Sequence, residues 1–173
     1  HLGTILGLYW CIGLACLVAG FHYPLLHLLL IAVFISTPFL GFALAKHFEH
    51  QVRRDSPVFY SRGYLFSILM YFFASIVLAI VAYIYFAYFD KGFFIQANID
   101  YMQRPEIKQM LETPQMKLQI QTILSQTGFK SIDEWFKSFT PIMIVAGIVD
   151  FNIMTGIILS IPTAFFARTK HSS

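Results

Sequence analysis

The chain has 173 residues, 57% of them hydrophobic and only 12% charged, with a formal net charge of +3 and a mean hydropathy of +0.66. Such a composition excludes an ordinary soluble globular domain. No basic stripe with interleaved aromatics accompanies the small positive excess, so no nucleic-acid partner is expected.

Apolar stretches run over residues 2–20, 25–45, 64–89 and 141–167. Each is near or above the ~20 residues that carry a helix across a bilayer core. The expected fold is an all-α membrane protein. It is a bundle of four transmembrane helices with a small extracytoplasmic helical insert, residues 90–139, between the third and fourth spans. Residues 1–173 then make a single membrane domain, with no room for a large soluble one.

No Lys or Arg precedes the first stretch, and Gly13 stands where a lipoprotein signal needs a bulky aliphatic residue before Cys16. The first stretch is therefore expected to be a retained span. Gly3, Gly7, Cys11, Ala15 and Ala19 put a small residue at every fourth position. Such a ridge lets another helix backbone come close, within the chain or in a homo-oligomer. Cys11 and Cys16 lie about 140° apart on one helix, too divergent to bridge each other.

Gly20, His22 and Pro24 mark a short turn. In the second span, Pro38 removes a backbone donor, and the Ser36 and Thr37 hydroxyls are placed to bond carbonyls of the helix. The helix is expected to continue through 46–54 and to break at Asp55-Ser56-Pro57. His47 and His50 lie one turn apart, but no further ligands converge with them, so no metal and no cofactor is expected. Arg53 and Arg54 are placed to meet anionic lipid headgroups. Tyr64 at one end of the third span and Tyr83, Tyr85 and Tyr88 at the other form interfacial belts.

In the insert, Pro105 suits a first helical position, Thr113-Pro114 a cap, Gly128 a C-terminal stop and Ser131 to Glu134 a capping box. Met116, Ile120, Ile123 and Leu124 would line one packed helix face.

Asp150 is an acid inside the last apolar stretch. A carboxyl near mid-bilayer is costly and should face protein or water with a partner. Counting residues from the outer boundary places Asp150, Tyr9, Trp10 and Ser36-Thr37 at one depth. Asp150 is accordingly expected to face the bundle and to hydrogen-bond Tyr9, Trp10 or the Ser36-Thr37 pair. Asn152 lies about 200° round the helix from Asp150. It aligns instead with Thr155, Gly156, Ser160 and Thr163, a small polar stripe that reads as a packing seam.

Lys46, Arg53, Arg54, Arg62, Arg168 and Lys170 lie on one side of the spans against Glu49 and Asp55. In 90–139, Lys91, Arg104, Lys108, Lys117, Lys130 and Lys137 are balanced by Asp90, Asp100, Glu106, Glu112, Asp133 and Glu134. By the positive-inside rule both termini should be cytoplasmic and the insert outside. The sequence contains no GxSxG, HExxH, P-loop or CxxC pattern.

Several motifs carry a family resemblance: Tyr60-Ser61-Arg62-Gly63-Tyr64 before the third span, the aromatic exit from Tyr83 to Asp90, and Lys91-Gly92-Phe93-Phe94 after it. With the order of spans and insert, the chain resembles the Bacteroidetes membrane proteins labelled domain of unknown function 4199. Relatives more often carry proline where Lys91 stands. The resemblance implies a Gram-negative inner membrane and supplies no activity. It also raises a polyprenyl-phosphate glycosyltransferase as a candidate membrane-protein partner, beside membrane lipids. The sequence thus points to an accessory or scaffolding subunit of a membrane complex. The rival is a small carrier or flippase-like protein that handles a lipid-linked or polar substrate at Asp150.

Overall fold

The structure, a computed structural model, describes residues 1–52 and 60–167. Arg53, Arg54 and the break at Asp55-Ser56-Pro57 lie outside the described residues. In chain order the helices are α1 (Leu2–Gly20), α2 (Leu25–Val52), α3 (Tyr60–Ile84), α4 (Phe93–Met102), α5 (Pro105–Leu111), α6 (Pro114–Thr127), α7 (Ile132–Lys137) and α8 (Pro141–Ala167). A π-helical turn, Tyr85–Phe89, follows α3. Among the described residues, α1, α2, α3 with its π turn, and α8 are long and apolar enough to cross a membrane.

The chain forms two compact units, His1–Tyr83 with Val145–Ser173, and Ile84–Ile144. In the first, glycines set the distances between helices. A Cβ on Gly3 would come 2.8 Å from Phe73 Cβ, and one on Gly7 2.7 Å from Val77 Cβ, so α1 and α3 run side by side in the same direction. Against α2 the order reverses: Gly13 faces Val33 and Leu30, and Gly20 faces the His27 ring. Phe48 stacks on Phe66 at 3.8 Å, and Gly63 faces Ala164, so α2 and α8 both run opposite to α3. The alternating direction gives an up-down arrangement.

The centre of this unit is Tyr71 on α3, which is 1% exposed. Its ring stacks on Trp10 of α1 at 6.0 Å. On the α2 side its hydroxyl lies against Gly41, and on the α8 side its Cβ and Cγ lie against Gly156. Leu6, Met70, Ala74 and Leu78 complete the core. Any side chain at Gly41 or Gly156 would collide with Tyr71, so both positions are held to glycine by close approach rather than by backbone conformation.

The four-residue ridge of α1 does not pack along its full length. Gly3 and Gly7 are buried and Cys11 is half-buried, but Ala15 is exposed. Each four-residue step advances about 40° round a straight helix, so the ridge turns away from α3 within two or three steps. The buried positions farther along are Gly13, Cys16 and Gly20, of which Gly13 and Gly20 face α2. A seven-residue spacing drifts only about 20°, so Gly13 and Gly20 stay on one line.

In the second unit, Asp90 is buried and both its carboxylate oxygens accept from the Phe94 amide, at 3.1 and 3.2 Å, which holds the start of α4. The chain reaches α4 through Lys91 at φ 49° and Gly92 at φ 83°. A proline locked near φ −65° could not stand in the turn at Lys91. Pro105 and Pro114 open α5 and α6, and Gly128 ends α6 at φ 78°. Thr113 occupies the N-cap position of α6, but its hydroxyl donates backwards to the Met110 carbonyl at 2.8 Å instead of capping. Ser131 accepts from the Glu134 amide at 3.2 Å, and the Glu134 carboxylate accepts from the Lys130 amide at 3.0 Å. On α6, Met116, Ile120 and Leu124 are half-buried, whereas Ile123 is 39% exposed.

Among the described residues, the buried Tyr71 hydroxyl makes no well-formed hydrogen bond, and the nearby Thr163 hydroxyl donates to the Leu159 carbonyl instead. An unmade buried bond costs about 1–3 kcal/mol, and overpacking about 1–3 kcal/mol. Tyr71→Phe should therefore leave the thermal midpoint in detergent unchanged or raised, and Gly156→Val should lower it clearly. Circular dichroism melts of the purified variants check both.

Candidate functional site

The polar side chains inside the spans mostly turn onto their own helices. Ser67 donates to the Gly63 carbonyl at 2.8 Å, Ser75 to Tyr71 at 3.0 Å, Ser160 to Gly156 at 2.7 Å and Thr163 to Leu159 at 2.7 Å. Asn152 donates to the Ile148 carbonyl at 2.7 Å, and Thr37 to Val33 at 2.8 Å. Each bond spans one turn, so the group is satisfied without help from a neighbouring helix. With Gly156, the residues Asn152, Ser160 and Thr163 are buried along one face of α8, and Thr155 is half-buried.

A side-chain bond joins the first two spans. Tyr9 of α1 and Ser36 of α2 share a hydrogen bond. Ser36 also donates to the Ala32 carbonyl at 2.6 Å, which leaves Tyr9 as the donor between them. Close by in depth, Phe34 of α2 meets Phe151 of α8 edge-on at 6.2 Å. Ser36 lies two residues from Phe34, and Asp150 immediately precedes Phe151, so the four positions fall within about one helical turn of one another.

Asp150 nevertheless does not face the interior. It is exposed, and no hydrogen bond joins it to Tyr9, Trp10, Ser36 or Thr37. The expected contact is corrected by the rotation of α8. The Asn152-Gly156-Ser160-Thr163 face packs inward, with Gly156 on Tyr71, and Asp150 is about 200° from Asn152. Trp10 is buried and stacks on Tyr71. Thr37 is buried on its own helix.

Asp150 is thus a carboxyl directed out of the chain within an apolar span. Insertion of such a group at a helix centre costs at least ~2.5–3.5 kcal/mol, so it needs a partner from outside the chain or a proton. One turn before it, Ala146 and Gly147 are also exposed, and a Cβ on Gly147 would meet nothing within 4 Å. Sequence reasoning passed over Gly147, although its place three residues before the acid put it on the same helix face.

Elsewhere, Cys11 and Cys16 are free. The Gln51 amide nitrogen donates to His47 Nε2 at 3.0 Å, and no group of three His, Cys, Asp or Glu side chains comes together among the described residues. The motifs behind the resemblance shape contacts and turns: Gly63 lies against Ala164, Tyr60 stacks with Tyr64 at 6.2 Å, and Asp90 holds α4.

Several long apolar helices, alternating in direction and packed through glycine, define a multi-pass helical membrane protein. Within that class the chain belongs to the family described as protein of unknown function (DUF4199), which matches residues 1–169. No curated protein and no solved structure matches the chain.

Because Asp150 has no partner among the described residues, Asp150→Leu should not lower the thermal midpoint of the purified protein in detergent. Tyr9→Phe, which removes the bond to Ser36, should lower stability by about 1 kcal/mol. Parallel melts of the two variants test the assignment, and a large loss in Asp150→Leu would contradict it.

Proposed function

We propose that the protein is a non-enzymatic accessory or scaffolding subunit of a complex in the bacterial inner membrane. The observation that carries this reading is the outward Asp150 within α8, which has no partner among the described residues. A carboxyl at that position is best accommodated when a second protein covers it. The interior supports the same reading, because its polar side chains are mostly bonded within their own helices and leave few groups to hold a cargo. A carrier for a polar or lipid-linked substrate would instead place its acid on the inside, and a carboxylate repels a lipid phosphate.

In this reading both termini and the loop at 46–63 are cytoplasmic, and residues 90–139 are extracytoplasmic, following the Lys and Arg asymmetry. Met116, Ile120 and Leu124 on α6 would then seat against protein or lipid at the outer surface.

Two measurements test the proposal. Single cysteines at Gln51 and Gln121, in a background without Cys11 and Cys16, are exposed to an impermeant thiol reagent on intact spheroplasts. Labelling is expected at Gln121 and not at Gln51; the reverse pattern would overturn the topology. Native electrophoresis of mildly solubilised membranes should show the chain in a species larger than its own mass and its detergent. Migration of the chain alone would overturn the scaffold reading.

A further inference from the structure

The glycines of the spans separate by what they face. Gly3, Gly7, Gly41 and Gly156 each stand so close to a neighbouring helix that a Cβ would come within 2.8 Å of a side-chain atom. Gly147 has nothing within 4 Å. A glycine within a helix weakens it, and here no contact among the described residues compensates. Ala146, Gly147 and Asp150 lie on one face of α8, continued by Met154 and Ile157, which are 63% and 42% exposed. Small residues beside a polar one form the kind of surface on which membrane helices meet closely.

The chemistry of the occupant follows from charge and depth. In the described spans, Lys46 and Arg62 are the Lys and Arg side chains. Lys46 lies twelve residues beyond Phe34, which meets Phe151, and is therefore ~18 Å along the axis from Asp150. Arg62 adjoins Gly63, which faces Ala164, fourteen residues or ~21 Å beyond Asp150. A second copy in the same orientation would bring no cation to this depth. It would offer another carboxyl, and like charges placed together cannot both ionise. Tyr9 and Ser36 are already bonded to each other.

Resting on the scaffold reading, we propose that the Ala146-Gly147-Asp150 face of α8 docks a transmembrane helix of a different protein, one that carries a Lys or Arg at mid-bilayer depth. The cation pairs with Asp150, and Gly147 lets the incoming backbone approach until the pair is shielded from lipid. Each partner thereby removes the other's unpaired intramembrane charge.

The test uses the full chain co-expressed with tagged single-span polyleucine helices of about 20 residues that carry Lys, Gln or Leu at the centre. After mild solubilisation, the Lys helix should be recovered with the chain roughly tenfold more than the Leu helix, and the Gln helix much less than the Lys helix. Asp150→Asn and Gly147→Leu should each reduce Lys-helix recovery to the Leu-helix level. Neither substitution should lower the thermal midpoint of the purified chain. Equal recovery of the Lys and Leu helices, or of the Lys and Gln helices, would overturn the cationic partner. So would copy-to-copy cross-linking through Met154→Cys, in the background without Cys11 and Cys16, that depends on Asp150; that result would assign the face to a second copy. If the larger native species persists while the Lys helix is not captured, the cationic partner fails and the scaffold reading stands. If the Lys helix is captured but no larger native species exists, the scaffold reading fails and the chemistry of the face stands.

Discussion

Tyr71 touches each of the other three long helices, and its position sets theirs. Its ring stacks on Trp10 of α1, its hydroxyl lies against Gly41 of α2, and its stem lies against Gly156 of α8. Lipid tails are as apolar as a leucine side chain, so helices in a bilayer gain little from hiding apolar surface from one another. They associate where shapes fit, and a large aromatic ring between glycines is such a fit. Among the described residues its hydroxyl makes no well-formed hydrogen bond, so ring packing carries most of this contact.

The orientation of α8 follows from this contact. With Gly156 on Tyr71, the buried face of the helix is fixed through Asn152, Ser160 and Thr163, and the opposite side points outward. Asp150 is on that opposite side. An intramembrane acid in a small protein suggests a polar interior, but packing by small residues at Gly156 prevails over the preference of one carboxyl for company. Asp150 is left exposed on the surface of the chain as a result.

The all-helical class, the long apolar helices and the family were legible because run length, Gly and Pro punctuation and motifs such as Tyr60-Ser61-Arg62-Gly63-Tyr64 are local signals. Depth was legible too: counting residues placed Tyr9 and Ser36 together, and the structure joins them. Rotation about each helix axis was harder to read. Two faces competed on α8, one with a carboxyl and one with small polar residues, and the sequence analysis turned both inward although about 200° separates them. On α1, the four-residue ridge from Gly3 to Ala19 drifts round the helix, and Ala15 is exposed. Tyr71 escaped notice because a tyrosine in an apolar run looks like any other aromatic until Gly41 and Gly156 are seen against it.

The one-turn bonds of Ser67, Ser75, Asn152, Ser160 and Thr163 bear on how the protein is made. Each of these groups is satisfied as soon as its own helix exists. A nascent span can therefore leave the insertion machinery singly, with few bare polar groups shown to lipid, and find its neighbours later. The polar groups of these spans thus make no demand on the order in which the helices come together.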